Sequence, residues 1–162
     1  FYKLSNSGVF PITSKNMTRF NITLEDGVEM VDWVAKNSIG GEIYVPRIPS
    51  YKITDLAKAM NSKNKLKIIG IRKGEKIHEE MITKGDSQTT YALKKYYVIL
   101  PDNSKTTYKK FKKNFSNLEK VKENFNYSSD NNINFLIISD LRKMIKDLIA
   151  WRRFLIVTKE KI

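Results

Sequence analysis

The sequence predicts an α/β fold: a small mixed sheet with helices, lacking the repeated parallel strand–helix–strand unit of an N-terminal Rossmann core. Three observations carry this. Strand-like runs such as EIYVP (42–46) and LKIIGI (66–71) alternate with capped amphipathic stretches such as TLEDGVEMVDWVAKN (23–37). The order of the elements is irregular. No GxGxxG, GxxGxxG or Walker A motif follows any strand.

GVFPIT (8–13) has the content of a short strand, with Pro11 fitting an edge. MTRFNI (17–22) is a second extended piece. Thr23 then fits an N-cap, and Asp26 completes a capping box with Asp in place of the usual Glu. Leu24, Val28, Val31 and Ala35 share one face of the following helix, which must stop by Gly40 and Gly41. EIYVP is a strand closed by Pro46, and YKI (51–53) is a brief one. Thr54 can cap a helix in which Leu56, Ala57 and Met60 share a face. LKIIGI is a strand, and KIHEEMI (76–82) reads as one or two helical turns. TTYALKKYYVILP (89–101) is extended structure ending at Pro101. Beyond it, 102–134 reads as a polar surface excursion held down by Tyr108, Phe111, Phe115, Phe125 and Tyr127. A helix follows over 135–149, with Ser139 as N-cap and Leu141, Met144, Ile145 and Leu148 as its stripe. The tail 150–162 has no clear pattern.

With 162 residues and 41% hydrophobic content, the chain can build a real core. It opens on Phe1 rather than Met, so its start is expected to be processed, trimmed or missing. No apolar run reaches the roughly 20 residues that span a bilayer, and the opening lacks a signal-peptide pattern. There are no cysteines and one histidine, His78, which excludes disulfides, thiolate metal sites and a multi-histidine metal site within one chain. No metal is expected, and the expected location is cytoplasmic.

The net charge of +13 asks for an anionic partner. Of the 30 basic residues 24 are Lys, spread through every segment, and Asn is abundant too. Such enrichment is what an AT-rich genome produces by codon drift. Nucleic acid is therefore the less favoured partner, despite the dense patch KKFKKNF (109–115).

The stretch IGIRKGEKIHEEMI (69–82) carries the chemistry. Arg72 follows a strand, and its planar fork suits phosphate oxygens. Glu75 lies three residues on, past a glycine that lets the backbone turn. A carboxylate beside an arginine fits a nucleoside diphosphate, because a ribose diol needs an acceptor while the diphosphate needs a cation. The same residues also fit a salt-bridged surface turn. Arg19, in NMTRFNITLEDGV, supplies a second cation before a capped helix.

These segments resemble the C-terminal, substrate-binding portion of extended short-chain dehydrogenase/reductases that act on nucleotide sugars. More closely, PITSKNMTRFNITLEDGVEMV, GGEIYVPRIPSYKITDLAKAM, IIGIRKGEKIHEEMIT and YYVILP, in this order, look like the C-terminal part of UDP-N-acetylglucosamine 4,6-dehydratases that invert C5. The related polysaccharide-biosynthesis epimerases share much of the pattern. The resemblance covers roughly 1–101, making that stretch the UDP-sugar-binding portion, and continues more loosely to the SDLRKMI helix. It implies that Arg19 and Arg72 contact the diphosphate of UDP-N-acetylglucosamine and Glu75 the ribose. Pro11 and Met17 are candidates for a uracil pocket, with simple core packing as the alternative for each. NADP is implied for the intact enzyme, bound by an N-terminal half that this sequence does not contain. A homo-oligomer is implied for the intact enzyme, serving surface polysaccharide or pseudaminic-acid-type synthesis. No catalytic residue can be assigned here, and the segment alone is expected to be inactive. The alternatives are a UDP-sugar 4-epimerase of capsule synthesis and a stand-alone basic nucleic-acid-binding module.

Other residues have blander readings. YALKK (91–95) contains Tyr-x-x-x-Lys by coincidence, since it falls in a strand-like run. His78 is expected to pack or hydrogen-bond beside the turn rather than act as a base. Glu79 and Glu80 read as solvated helix charges. Arg47 reads as either a further cation near the diphosphate or an exposed residue. Trp33 and Trp151 read as packing residues.

Overall fold

The computed structural model describes the backbone of residues 1–159 and the side chains of residues 1–149. Its strands are β1 (Val9–Ile12), β2 (Thr18–Phe20), β3 (Ile43–Pro46), β4 (Ser50–Lys52), β5 (Lys65–Ile68), β6 (Glu80–Ile82), β7 (Thr90–Ala92), β8 (Tyr96–Ile99), β9 (Glu119–Lys120) and β10 (Tyr127–Ser128). Its helices are α1 (Leu24–Asn37), α2 (Ile53–Met60), α3 (Lys105–Asn114) and α4 (Ile138–Lys159). The predicted α/β class with mixed strand pairing holds. The chain divides into two units, each discontinuous in sequence. Unit 1 comprises Phe1–Arg19, Ser50–His78 and Asn134–Ile162; unit 2 comprises Phe20–Pro49 and Glu79–Ile133.

In unit 1, β1 and β5 pair in parallel, with Pro11 opposite Lys67 and Ile12 opposite Ile68. The alternation of β1 sends Phe10 and Ile12 into the core and leaves Pro11 on the other face. Helix α2 packs on β1 and on α4, where Ala57 and Leu141 are buried. Two expected caps are corrected. α2 starts at Ile53, with Lys52 in the N-cap position and no side-chain cap, so Thr54 lies inside the helix. α4 starts before Ser139, because the Asp140 carboxylate accepts the Ile137 N–H at 3.1 Å and secures the first turn itself.

In unit 2, four antiparallel strands run in the order β3-β8-β7-β9. One face carries a core of Tyr44, Leu93, Tyr96, Val98, Leu100 and Phe111. The predicted capping box of α1 forms as expected: Thr23 Oγ1 accepts the Asp26 N–H at 3.1 Å, and Asp26 accepts the Thr23 N–H at 3.3 Å. The face of α1 that packs on this core is Met30, Trp33 and Val34. The stripe of Leu24, Val28 and Val31 points outward and is 61–71% exposed. Within 102–134 the chain forms α3, β9 and β10. Phe111 of α3 is fully buried, Tyr108 stacks on Tyr91 and Phe115 stacks on Phe111. The aromatic rings of the lysine-rich patch are thus engaged in packing.

KIHEEMI is not helical. Glu80 to Ile82 form β6, antiparallel to β10. The Glu79 N–H donates to Ser129 Oγ at 2.9 Å, and the Ser129 N–H donates to the Glu79 carbonyl at 2.7 Å. Partners fifty residues away outcompete a helix too short to nucleate alone. Glu79 is therefore no solvated helix charge: its carboxylate accepts the Phe20 N–H at 2.9 Å.

Glu42 sets an acid limit on unit 2. Burial alone would raise its carboxyl pKa, but hydrogen bonds from the Ile39 N–H (2.6 Å) and the Tyr44 hydroxyl (3.2 Å) outweigh it and hold the group below its ordinary value. A lowered folded pKa means stability that is present above the unfolded carboxylate pKa, about 4.3, and lost as pH falls through the folded value. Glu42→Gln should lower stability at neutral pH and flatten its decline below about pH 5. Urea melts across the acid range check this, and an acid profile like that of the parent protein would contradict it.

Candidate functional site

Because β1 and β5 are parallel, the segments that leave their C-terminal ends emerge together. In open α/β sheets that end is where ligands bind. The first segment runs from Thr13 to Arg19 and the second from Ile69 to His78, and the Ile69 N–H donates to the Ile12 carbonyl at 2.9 Å where they start.

The second segment is a tight turn. The Glu75 N–H donates to the Arg72 carbonyl at 3.0 Å, and Gly74 takes φ +80 between them, a value that L side chains rarely adopt. Glu75 closes the turn from its side chain as well. Its Oε2 accepts the Arg72 N–H at 3.2 Å, and the Thr13 hydroxyl donates to Oε1 at 3.2 Å. Arg19 holds the far end. Its Nη1 donates to the Thr18 and Ile77 carbonyls at 2.7 and 3.0 Å, and its Nη2 to the Lys76 carbonyl at 3.0 Å. The same Nη2 lies 4.0 Å from Glu75 Oε1, with both side chains mostly buried. The Thr18 N–H donates to the Ile77 carbonyl, and Thr18 Oγ1 meets His78 Nδ1 at 2.8 Å.

Three of the predicted residues thus meet in one loop: Arg19, Glu75 and the Arg72 backbone. Arg72 itself is exposed, and among the described residues its guanidinium has no hydrogen-bond or ion-pair partner. Met17 is 3% exposed, and its carbonyl accepts the Ile53 N–H at 3.0 Å. Pro11 stands half-buried on the face of β1 opposite Phe10 and Ile12. Thr13 and Thr18 belong to the cluster and were not anticipated. Nothing local marks them, since their partners lie about sixty residues on. His78 hydrogen-bonds beside the turn, as its blander reading expects. In unit 2, Arg47 donates to the Leu93 carbonyl at 3.1 Å and covers the Tyr97 ring at 5.1 Å.

Charge is unevenly divided. Unit 2 carries twelve basic and twelve acidic residues, while unit 1 carries eighteen basic and five acidic, so the whole excess of 13 belongs to unit 1. Lysines divide 13 to 11, as drift in composition would leave them. The asymmetry lies in the missing acids and in the arginines, five of six being in unit 1. A dinucleotide cofactor fits poorly. Its pyrophosphate needs a glycine-rich turn opening a helix, and among the described residues none of the four α-helices begins after a glycine. Among the described residues no cluster of acidic or histidine side chains could hold a metal, and no helix is long and apolar enough to cross a membrane.

A fold of this class, with charged loops gathered at the ends of parallel strands, has known relatives. Residues 1–101 match the family model described as "Polysaccharide biosynthesis protein". The chain belongs to that family. It is 48% identical over 141 residues to a UDP-N-acetylglucosamine 4,6-dehydratase (inverting) of Campylobacter jejuni subsp. jejuni serotype O:2, covering 82% of this chain and 41% of the relative. It is 36% identical over 104 residues to a UDP-glucose 4-epimerase of Rickettsia rickettsii, covering 62% of this chain and 30% of the relative. The fold is similar to the X-ray structure of Pen from Bacillus thuringiensis, with a TM-score of 0.71 at 24% identity over 90% of this chain and 43% of that one. The chain spans less than half the length of these curated relatives.

Proposed function

We propose that this chain is the UDP-holding part of a UDP-N-acetylglucosamine 4,6-dehydratase that serves bacterial surface polysaccharide or pseudaminic-acid-type synthesis. The observation that carries this reading is the turn 72–75, placed at the shared end of two parallel strands with its arginine side chain projecting unpartnered from a basic unit. Arg72 and Arg19 supply positive charge to the diphosphate. Glu75, whose carboxylate has about four acceptor sites, keeps capacity for a ribose hydroxyl beyond the bonds it makes within the loop. Pro11, half-buried, offers an apolar contact to the base, while Met17, 3% exposed, takes the core-packing role. Oxidation at C4, loss of water and return of the hydride at C6 belong to the whole protein, with NADP held by residues outside this chain. Alone, the chain has no dehydratase activity. The intact protein is a cytoplasmic homo-oligomer in this reading. The similarity to 4-epimerases favours a second reading, a UDP-sugar 4-epimerase, which needs the same UDP site.

Arg72→Ala tests the assignment. Arg72 is exposed, so the fold should survive its loss. A charge-assisted contact is worth roughly 1.5–3 kcal/mol, so UDP affinity measured by calorimetry should fall about tenfold or more. Unchanged affinity would remove Arg72 from the site.

A further inference from the structure

Thr13 stands one residue past the end of β1, just beyond the bond from the Ile69 N–H to the Ile12 carbonyl that closes the ladder with β5. It is 8% exposed. Among the described residues its hydroxyl has one partner, the Glu75 carboxylate, with Oε1 at 3.2 Å and Oε2 at 3.3 Å. The Arg72 N–H holds Oε2 as well, at 3.2 Å.

Neither contact from Thr13 is short. O–H···O bonds cluster near about 2.7–2.8 Å, so a hydroxyl shared between two oxygens at these distances adds little stability. What it fixes is orientation. The last torsion of a Glu side chain is broad, and two donors, one on Oε2 and one facing both oxygens, narrow it. Arg19 makes that orientation matter. Its Nη2 lies 4.0 Å from Glu75 Oε1, whereas a closed arginine–carboxylate pair sits at roughly 2.7–2.9 Å. Thr13 and Arg19 thus compete for the same oxygen. A carboxylate has about four acceptor sites. The Arg72 N–H and the Thr13 hydroxyl take two, and about two remain, the number of donors in a vicinal diol. The Glu75 side chain is 25% exposed, so a ligand can reach them.

We propose that Thr13 is a positioning residue that holds the Glu75 carboxylate off Arg19, so that its open acceptor sites meet the 2′,3′-diol of a ribonucleotide. Thr13 thereby sets selectivity for ribose over sugars that lack those hydroxyls. The inference rests on the UDP reading of this site and adds to it a residue and a selectivity. Without the hydroxyl, Glu75 closes onto Arg19 and spends an acceptor site there. Arg19 keeps its place, held by three backbone carbonyls, so the diphosphate contact loses less than the ribose contact.

The test measures UDP and 2′,3′-dideoxyuridine diphosphate by calorimetry on the full chain, as the parent and as Thr13→Val, Thr13→Ala, Thr13→Ser and Glu75→Gln. The parent should bind UDP roughly tenfold more tightly than the dideoxy analogue, as hydrogen bonds to a charged group allow. Thr13→Val, which keeps the shape of Thr, should cut that ratio to about threefold or less, and Thr13→Ala, which cannot overfill the site, should do the same. Thr13→Ser should restore the ratio. In a Glu75→Gln background, Thr13→Val should change it no further. A hydroxyl that only steadied the loop would weaken both nucleotides alike and leave the ratio where it was. An unchanged ratio in Thr13→Val and Thr13→Ala, or no recovery in Thr13→Ser, overturns the role of Thr13 and leaves the UDP reading standing. Equal binding of the two nucleotides by the parent removes the ribose contact of Glu75, and no binding of either removes the UDP reading; the inference falls with each.

Discussion

Phe111→Ala should lower the stability of unit 2 by about 3–5 kcal/mol, the usual loss for a buried phenylalanine. Phe111 has no exposed surface. Its ring stacks on Phe115 at 4.8 Å and lies 6.4 Å from Tyr44, so truncation removes contacts on two sides and leaves a void where α3 meets the sheet. Apart from Tyr108, which stacks on Tyr91, the rest of α3 is mainly exposed lysines and small polar groups, so Phe111 is its chief anchor. The core around Tyr44 and Tyr96 would be opened with it. Urea denaturation followed by tyrosine and tryptophan fluorescence measures the effect. Lys112→Ala, on the exposed face, should change stability by less than about 0.5 kcal/mol. A loss below about 1 kcal/mol for Phe111→Ala would mean that α3 is anchored some other way.

Arg19→Ala should cost unit 1 about 2–4 kcal/mol and leave the loop 72–78 disordered, with UDP affinity falling at the same time. Arg19 donates to three backbone carbonyls, two of them in that loop. Bonds from a charged donor are worth roughly 1.5–3 kcal/mol each where acceptors are desolvated, and partial exposure of the site returns some of that to water. Arg19→Lys should recover only part of the stability, since a point charge cannot reach the acceptors that a planar fork spans. Amide exchange at Ile77 and His78 would report the loop directly. If their protection is unchanged in Arg19→Ala, the turn holds itself and Arg19 has only a ligand to serve. Arg72→Ala should separate cleanly from this, losing UDP affinity with loop order intact.

The parts of the fold that were legible were those decided locally. Thr23 and Asp26 cap α1 from three residues apart, and the β-branched and aromatic content of EIYVP suits a strand wherever it is placed. What failed was decided at a distance. The spacing of Ile77, Met81 and Ile82 suits a helix, but Ser129 takes the Glu79 backbone and the segment becomes extended. The outward turn of Leu24, Val28 and Val31 could not be read from a stripe that has two possible orientations. The division into two interleaved units depends on long-range contacts that no local pattern carries. In the candidate site, Arg19, Arg72 and Glu75 stood out because arginine and glutamate near a glycine turn have a chemical logic. Thr13 is an ordinary hydroxyl at the end of a strand, and only the fold brings it to Glu75.

The central claim is that UDP binds at the joined ends of β1 and β5. The most direct measurement is an amide NMR titration of the chain with UDP. UDP should give saturable shifts concentrated in 13–19 and 70–78, with unit 2 largely silent. Shifts confined to unit 2, or none at all, would contradict it.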